Sequence, residues 1–348
     1  MTKTKTQDIR QLSREDLALW FEAQGEKQFR AKQVYDWLWK RGARSFEQMT
    51  NVSKALREKL AADFTINALE TDVIQRSSDG TLKFRFRLHD GHLIESVLIP
   101  VPVDKRYTVC VSSQVGCSLT CSFCATGRMK RERNLDAAEI FDQVVLVNEE
   151  CEKVYGAPLT NIVYMGMGEP LLAYKSVMGS IDRITDPQGL NMSPRRITIS
   201  TAGIAKMIGK LADDNSKVNL ALSLHAADDQ KRDRIMPINE TNNLPILMDA
   251  LHYYYRTTRN RISYEYITFQ GFNDTIEDAK QLAKLCKRFP VRVNIIEYNP
   301  IEGVDFVKSS EDRIDAFARY LRNQDIMVTV RRSRGKDIDA ACGQLANK

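Results

Sequence analysis

The sequence predicts an α/β protein: a parallel sheet of six β/α units, preceded by a helical accessory domain and a small β-meander. Three observations predict it. From residue 107 onward short β-rich runs alternate with helical patterns, at 107–112, 161–165, 196–200, 219–224, 262–268 and 291–298. Residues 1–70 carry apolar positions at helical spacing among many basic ones, and in 71–103 the apolar period drops to two. The expected boundaries are therefore 1–70 for the accessory domain, 71–103 for the meander and a linker, and 104–348 for the catalytic domain.

Each element has a local cause. Residues 13–24, SREDLALWFEAQ, open with a serine followed by early acids and a leucine-rich periodic stretch, the pattern of a capped helix. A second helix follows in GEKQFRAKQVYDWLWKRG, with Phe29, Val34, Trp37 and Leu38 on its apolar face and Lys27, Arg30, Lys32, Lys40 and Arg41 on the other. A third covers about residues 54–64. The meander is punctuated by the turn dipeptides Asp79-Gly80 and Asp90-Gly91, and Pro100 and Pro102 mark the expected linker. Strand runs such as NIVYMG end in polar or glycine residues, which puts the chemistry at the C-terminal rim of the sheet.

Composition bounds the function. The chain has 348 residues and a formal charge of +6, from 51 basic against 45 acidic residues, a mild bias toward a polyanionic partner. No run approaches the roughly 18 to 20 apolar residues of a membrane span. Seven cysteines and a polar N-terminus without an apolar leader are expected of a cytoplasmic protein with reduced thiols.

Three of those cysteines organise the rest. Cys117, Cys121 and Cys124 recur at spacings of four and three on a loop bracketed by Gly116 and Gly127. Three converging thiolates without a fourth local ligand leave a metal position open, as an iron–sulfur cluster that binds something else requires. A zinc site closed by one histidine is the competing reading. At the rim, Gly168 permits close backbone approach to a ligand and Glu169 can pair with a cationic amine. Ser200, Ser223, Leu224, His225 and Asn299 fall at successive strand ends. Cys110 sits on the first parallel strand, and Cys342 lies in the polar terminal segment DIDAACGQL, more plausible as a loop returning to the rim than as core. Glu95 is a charged residue inside the apolar run HLIESVLIP; Cys151 and Cys286 fit helix packing.

The C-x3-C-x2-C spacing, with an aromatic before the third cysteine, resembles the signature of radical S-adenosylmethionine (SAM) enzymes. The combination VCVSSQVGCSLTCSFCATG, MGMGEPL, SPRRITISTAG, LSLHA, MPIN and DIDAACGQL is similar to the RlmN/Cfr family of RNA adenosine methyltransferases. Pro170 after Glu169 resembles the RlmN side, since Cfr proteins tend to carry alanine there. This resemblance implies a partial (β/α)6 radical SAM barrel holding a 4Fe-4S cluster on Cys117, Cys121 and Cys124. It also implies two SAM molecules per turnover, contacted through Gly168, Glu169, Ser200, Ser223, Leu224, His225 and Asn299. By the same resemblance Cys342 carries an S-methylcysteine intermediate with Met165 nearby, Cys110 is the resolving thiol of a transient disulfide, and Glu95 is the proton acceptor. The implied partners are 23S rRNA, tRNA in some members, and an external electron donor such as flavodoxin; a monomer is expected because nothing in the sequence points to an assembly interface. Arg128, Lys130, Arg131, Arg133 and the basic N-terminal helices are the candidate phosphate contacts.

Overall fold

The computed structural model describes residues 7–347; the first six residues, part of the polar N-terminus noted above, lie outside that range. A ten-stranded sheet runs through the molecule with its strands in chain order. The meander supplies β1 (Glu70–Arg76), β2 (Leu82–Arg87) and β3 (Leu93–Val101), all antiparallel. Both predicted turns form, with Gly80 and Gly91 at positive φ of 89° and 84°. β4 (Arg106–Cys110) is antiparallel to β3 and parallel to β5 (Asn161–Tyr164). The parallel series continues through β6 (Ile197–Thr201), β7 (Asn219–Ser223), β8 (Ile262–Thr268), β9 (Arg292–Glu297) and β10 (Met327–Arg331).

Two expectations need correction. The segment at Pro100 and Pro102 is no linker: Pro100 pairs with Tyr107 inside the β3–β4 ladder, and Pro102 opens a single 3-10 turn. The meander is therefore one flank of the same sheet. The six predicted β/α units are followed by a seventh parallel strand, β10, whose residues alternate between exposed and half-buried. An edge strand of that kind carries no apolar face to announce it.

The helices are α1 (Arg14–Ala23), α2 (Phe29–Trp39) and α3 (Lys54–Asp63), then α4 (Ala137–Tyr155), α5 (Tyr174–Thr185), α6 (Ala205–Asp213), α7 (Asp229–Ile235), α8 (Leu244–Thr258), α9 (Ile276–Cys286) and α10 (Glu311–Arg322). The predicted cap of α1 is a full capping box between Ser13 and Asp16. In α2 the apolar face is rotated from the expected one: Ala31, Val34, Tyr35, Leu38 and Trp39 are buried, whereas Phe29 is 55% exposed. Trp37 is half-buried and donates to Asn51 Oδ1 at 2.5 Å.

A buried charge cluster fastens the N-terminal helices to the barrel. Arg10, with its side chain out of solvent, pairs with Asp8 at 3.1 Å and with Asp142 of α4 at 2.8 Å, and Asp142 also accepts from the Leu69 amide at 3.1 Å. The Trp39 ring meets Phe141 edge-on at 5.1 Å beside it. The main core fills the sheet and its helices, and a smaller apolar cluster of Phe123, Ile235, Met236, Phe269 and Tyr298 lies under the rim.

Candidate active site

The cysteine loop is held by backbone contacts from three directions. Ser122 donates to the Ile235 carbonyl at the end of α7 (3.0 Å), Ala125 to Gly343 (2.7 Å), and Thr126 Oγ1 to Leu345 (2.6 Å). Gly116 has φ of +72°, and a Cβ there would lie 2.1 Å from the Lys130 carbonyl oxygen, so only glycine fits where the loop crosses residue 130. Phe123 anchors the loop against His225, with ring centroids 4.8 Å apart and edge-on.

The three thiols stand in one another's electrostatic fields. Burial is the main cause of their raised pKa values: Cys117 reaches about 11, and Cys121 and Cys124 are also shifted upward. Metal coordination would hold them as thiolates instead. A single zinc ion would draw three sulfurs to within about 4 Å of one another. Structural zinc sites close their shell with four protein ligands, and the cysteine loop offers three. A cluster that takes one thiolate on each of three irons fits this donor set.

Glu169 sits where β5 and β6 end. It is 3% exposed, and its carboxylate oxygens accept from the Leu171 amide at 3.0 Å and the Ala202 amide at 2.8 Å. Burial pushes its pKa up to about 7, and no lysine or arginine among the described residues lies within ion-pair distance. The carboxylate therefore lacks a cation of the chain's own, as a receptor for a ligand ammonium should. Gly168 before it has φ of +95°, and a Cβ would come within 2.5 Å of the Gln114 side chain, whose Oε1 accepts from the Glu169 amide at 2.8 Å.

The other predicted cofactor residues line the same rim. Ser200 and Ser223 hydroxyls are 3.4 Å apart. Leu224 is buried and bonds through its amide to the Glu265 carbonyl at 3.0 Å. His225 adopts a left-handed φ of +54°. Its Nδ1 accepts from the Ile267 amide at 3.1 Å, and burial, with the nearby Arg232, lowers its pKa to about 3, so the ring is neutral with its proton on Nε2. Asn299 is buried and donates to the Cys342 carbonyl at 3.3 Å.

Cys110 and Cys342 come together from opposite ends of the catalytic domain. Cys110 closes β4, buried, and its sulfur lies in the field of Cys342 and faces the Met165 amide; burial pushes its thiol far up. Cys342 is solvent-accessible, though crowding by protein raises its thiol as well, with Arg331 and Cys124 among the groups it senses. Both are free thiols.

Glu95 is fully buried. Its Oε1 lies 3.4 Å from Lys83 Nζ, and its Oε2 accepts from the amides of Ala346 and Asn347 at 2.9 and 3.1 Å.

A model described as the ribosomal RNA large subunit methyltransferase N-terminal domain matches residues 7–66, and one of the radical SAM superfamily matches residues 111–286. The chain is 57% identical over 347 residues to the probable dual-specificity RNA methyltransferase RlmN of Cytophaga hutchinsonii, covering 100% of this chain and 94% of that one. The chain belongs to the RlmN family. RlmN of Desulfotalea psychrophila is 44% identical over 345 residues, covering 97% of this chain and 94% of that protein. The crystal structure of a radical SAM methyltransferase from Sphaerobacter thermophilus superposes with a TM-score of 0.93 at 39% identity, covering 98% of this chain and all of that one. As a radical SAM protein the RlmN-family chain uses a 4Fe-4S cluster and SAM, and Cys117, Cys121 and Cys124 would hold the cluster.

Sequence reasoning missed two residues of this RlmN-family rim. Gln114, fully buried, positions Glu169; its signal is the short run between the first strand and the cysteine loop. Arg232, also fully buried, bonds the carbonyls of Ala202, Ser223 and Leu224, and only its place just before MPIN hints at it. Arg133, expected to grip phosphate, is instead committed to Glu139 (2.7 and 2.8 Å) and Asp90 (2.6 Å).

Proposed function

We propose that the chain is a SAM-dependent RNA methyltransferase acting on C2 of one adenosine in the peptidyl-transferase region of 23S rRNA and on the adenosine 3′ of the anticodon in tRNAs. The relatives named dual-specificity RNA methyltransferase support both substrates. Adenine C2 lies between two ring nitrogens and is too electron-poor to attack the methyl of SAM. When bound, the cluster and SAM supply the radical chemistry that such a carbon requires.

The chain's own residues then have distinct tasks. Cys342 as thiolate takes a methyl from one SAM by displacement, forming S–C and releasing S-adenosylhomocysteine. Glu169 would hold the amino group of a second SAM, with Ser200, Ser223, Leu224, His225 and Asn299 lining the same site. Once the radical chemistry that the cluster and SAM would supply has removed one hydrogen atom from the Cys342-borne methyl, that carbon would bond C2. Glu95 would take the C2 proton at Oε1, the oxygen that accepts no hydrogen bond, and one electron would leave to the external one-electron carrier as the ring regains aromaticity. Cys110 would attack the Cys342 sulfur as a thiolate, the S–C bond would break with its electron pair left on the product carbon, which takes a proton to become the methyl group, and a disulfide would remain until external thiols reduce it. The observation that most supports this reading is that Cys110, at the end of β4, lies within electrostatic reach of Cys342, whose neighbour Gly343 bonds the cysteine loop at Ala125 (2.7 Å).

RNA contact is assigned to two surfaces. A groove of about 480 Å³ between α1 and α2 is lined by Arg14, Phe29, Lys32 and Tyr35, offering an exposed ring for base stacking next to cations. Lys27, Lys40 and Arg41 are exposed nearby, and Lys130 and Arg131 are exposed after the cysteine loop. The protein acts as a cytoplasmic monomer fed by an external one-electron donor such as flavodoxin. No described helix is long and apolar enough to cross a membrane.

The test is mass spectrometry of nucleosides from a defined 23S rRNA fragment and a tRNA, after incubation with anaerobically reconstituted protein, SAM and reductant. 2-Methyladenosine is expected in both. 8-Methyladenosine would move the chain to Cfr-type chemistry, and the absence of either, with SAM still cleaved to 5′-deoxyadenosine, would overturn the substrate assignment.

A further inference from the structure

Lys83 is a lysine buried in a strand, and the register of three neighbouring strands says what it faces. The ladders of β2, β3 and β4 pair Lys83 with Val97, Arg85 with Glu95, and Val97 with Cys110. Side chains alternate along a strand, and residues directly opposite share a face. Lys83, Arg85, Glu95, Val97 and Cys110 therefore point to one side of the sheet. Ser96 points to the other, where its hydroxyl donates to Gln143 of α4 at 2.7 Å. The side away from α4 is covered by the C-terminal segment: the amides of Ala346 and Asn347 donate to Glu95, and the Asn347 carbonyl accepts from Arg85 at 3.4 Å.

The charges on that side pair off in one way. Lys83 is 3% exposed and Glu95 not at all. Lys83 Nζ lies 3.4 Å from Glu95 Oε1, and among the described residues no other carboxylate is within ion-pair distance of it. Arg85, the other cation on this face, is committed to Asp72 of β1 at 2.6 Å. The Cys110 thiol is the remaining titratable group of the face. From the turn after β5 comes the Met167 thioether, which accepts from the Glu95 amide at 3.3 Å, and neither it nor Ala346 and Asn347 titrates. A buried carboxylate without a cation holds its proton and so cannot take another. In Glu95, Oε2 is occupied by two amides, while Oε1, free of hydrogen bonds, has the Lys83 ammonium as its charged neighbour.

We propose that Lys83 is a positioning residue that keeps Glu95 ionised and ready to take the C2 proton, an inference resting on Glu95 as the proton acceptor of the proposed reaction. The C2–H bond breaks with its electrons left in the ring, the proton passes to Oε1, and Lys83 keeps its own three protons throughout. The same cation limits how tightly Glu95 holds the proton it has gained, so the carboxylate is restored for the next turnover. Lys83 acts through Glu95 and touches no reacting atom.

The experiment uses the full chain, reconstituted anaerobically, as wild type, Lys83→Met, Lys83→Arg and Glu95→Gln, with the iron content of each measured. Single-turnover methylation of a target RNA deuterated at adenosine C2, against the unlabelled RNA, isolates removal of the C2 proton. The Lys83→Met rate is expected at least about tenfold below wild type at about pH 6, with a larger isotope effect, and within about threefold of it at about pH 9, where the lone carboxylate ionises. Lys83→Arg keeps the charge and should stay within about threefold of wild type at both. Infrared difference spectra give a readout apart from turnover: at the lower pH a protonated-carboxyl band is expected in Lys83→Met, absent from wild type and from the double variant Lys83→Met with Glu95→Gln. A ratio of variant to wild type that does not change with pH, or no such band, would overturn the inference and leave the ion pair a structural one. Glu95→Gln turning over like wild type would overturn the acceptor reading itself, whereas a slow Glu95→Gln beside a pH-independent Lys83→Met ratio would overturn the role of Lys83 alone. If Lys83→Met took up no iron, Lys83→Gln takes its place; loss of loading in both, with Lys83→Arg loaded, would make the cation a folding requirement and overturn the inference.

Discussion

Replacing Glu169 with glutamine isolates the cost of holding a carboxylate ready for a cation. Glu169 is 3% exposed and burial moves its pKa from 4.5 to about 7. A carboxyl that holds its proton more tightly when folded contributes stability below pH 4.5 and loses it as pH rises through about 7. At about 1.4 kcal/mol per pH unit, that gap corresponds to about 3 kcal/mol. In Glu169→Gln the amide nitrogen faces one of the two backbone donors, Leu171 or Ala202, and the lost hydrogen bond costs about 1–3 kcal/mol at every pH. The difference in stability between the two proteins therefore changes by about 3 kcal/mol between pH 4.5 and 7.5, with wild type relatively weaker at the high end. Urea unfolding of the cluster-free proteins across that range measures it, because groups common to both cancel. A difference flat to within about 1 kcal/mol would refute the reasoning, since Glu169 would then not be a desolvated carboxylate. In the cluster-loaded protein the same change should weaken SAM binding at least about tenfold, through loss of a charge-assisted contact.

Three further outcomes follow from the geometry. Cys110→Ala should accumulate a covalent protein–RNA adduct on denaturing gels whereas Cys342→Ala should form none; normal turnover by Cys110→Ala would remove the resolving role. Gly168→Ala places a Cβ within 2.5 Å of Gln114 at φ of +95°, which should cost about 1–3 kcal/mol and lower the melting temperature by roughly 3–10 °C in calorimetry. Arg10→Met strands Asp8 and Asp142 in the interior, and an expected loss of about 3–5 kcal/mol should be accompanied by faster proteolysis between residues 64 and 69.

What the sequence made legible is what has a local cause. Helices with a capping serine, hairpins with Asp-Gly turns and the cysteine loop all announce themselves within a few residues, and the strand-end polar residues fall where the parallel order puts them. What stayed hidden depends on partners distant in the chain. Phe29 reads as apolar face because it lies eight residues, about two helical turns, before Trp37, yet the barrel's α4 meets α2 on the face of Tyr35 and Trp39. The burial of Glu95 was not legible because its counter-ion, Lys83, comes from the neighbouring strand and its amide partners from residues 346 and 347. Arg232 is the extreme case: its acceptors are backbone carbonyls, which no residue type in the sequence identifies.

The C-terminal segment shows why those distant partners matter for chemistry. The sheet is open, with β1 at one edge and β10 at the other, and residues 332–347 run from the β10 side to the meander. At the start of that path Arg332 and Lys336 hold Glu297 at the end of β9 (2.8 and 2.9 Å). Midway, Asp79 accepts from the Gly335 amide (2.9 Å) and Asp337 from Ser77 and Ser78 (2.5 and 3.0 Å), at the first turn of the meander. At its end Thr126 and Glu95 secure residues 345–347. Cys342 thus lies between two fixed stretches, within electrostatic reach of Cys110, while its own exposure leaves a face open to solvent. In the proposed reaction Cys342 would serve SAM, substrate and a second thiol in turn, which calls for both restraint and access, and the edge-to-edge path of this segment provides the two together.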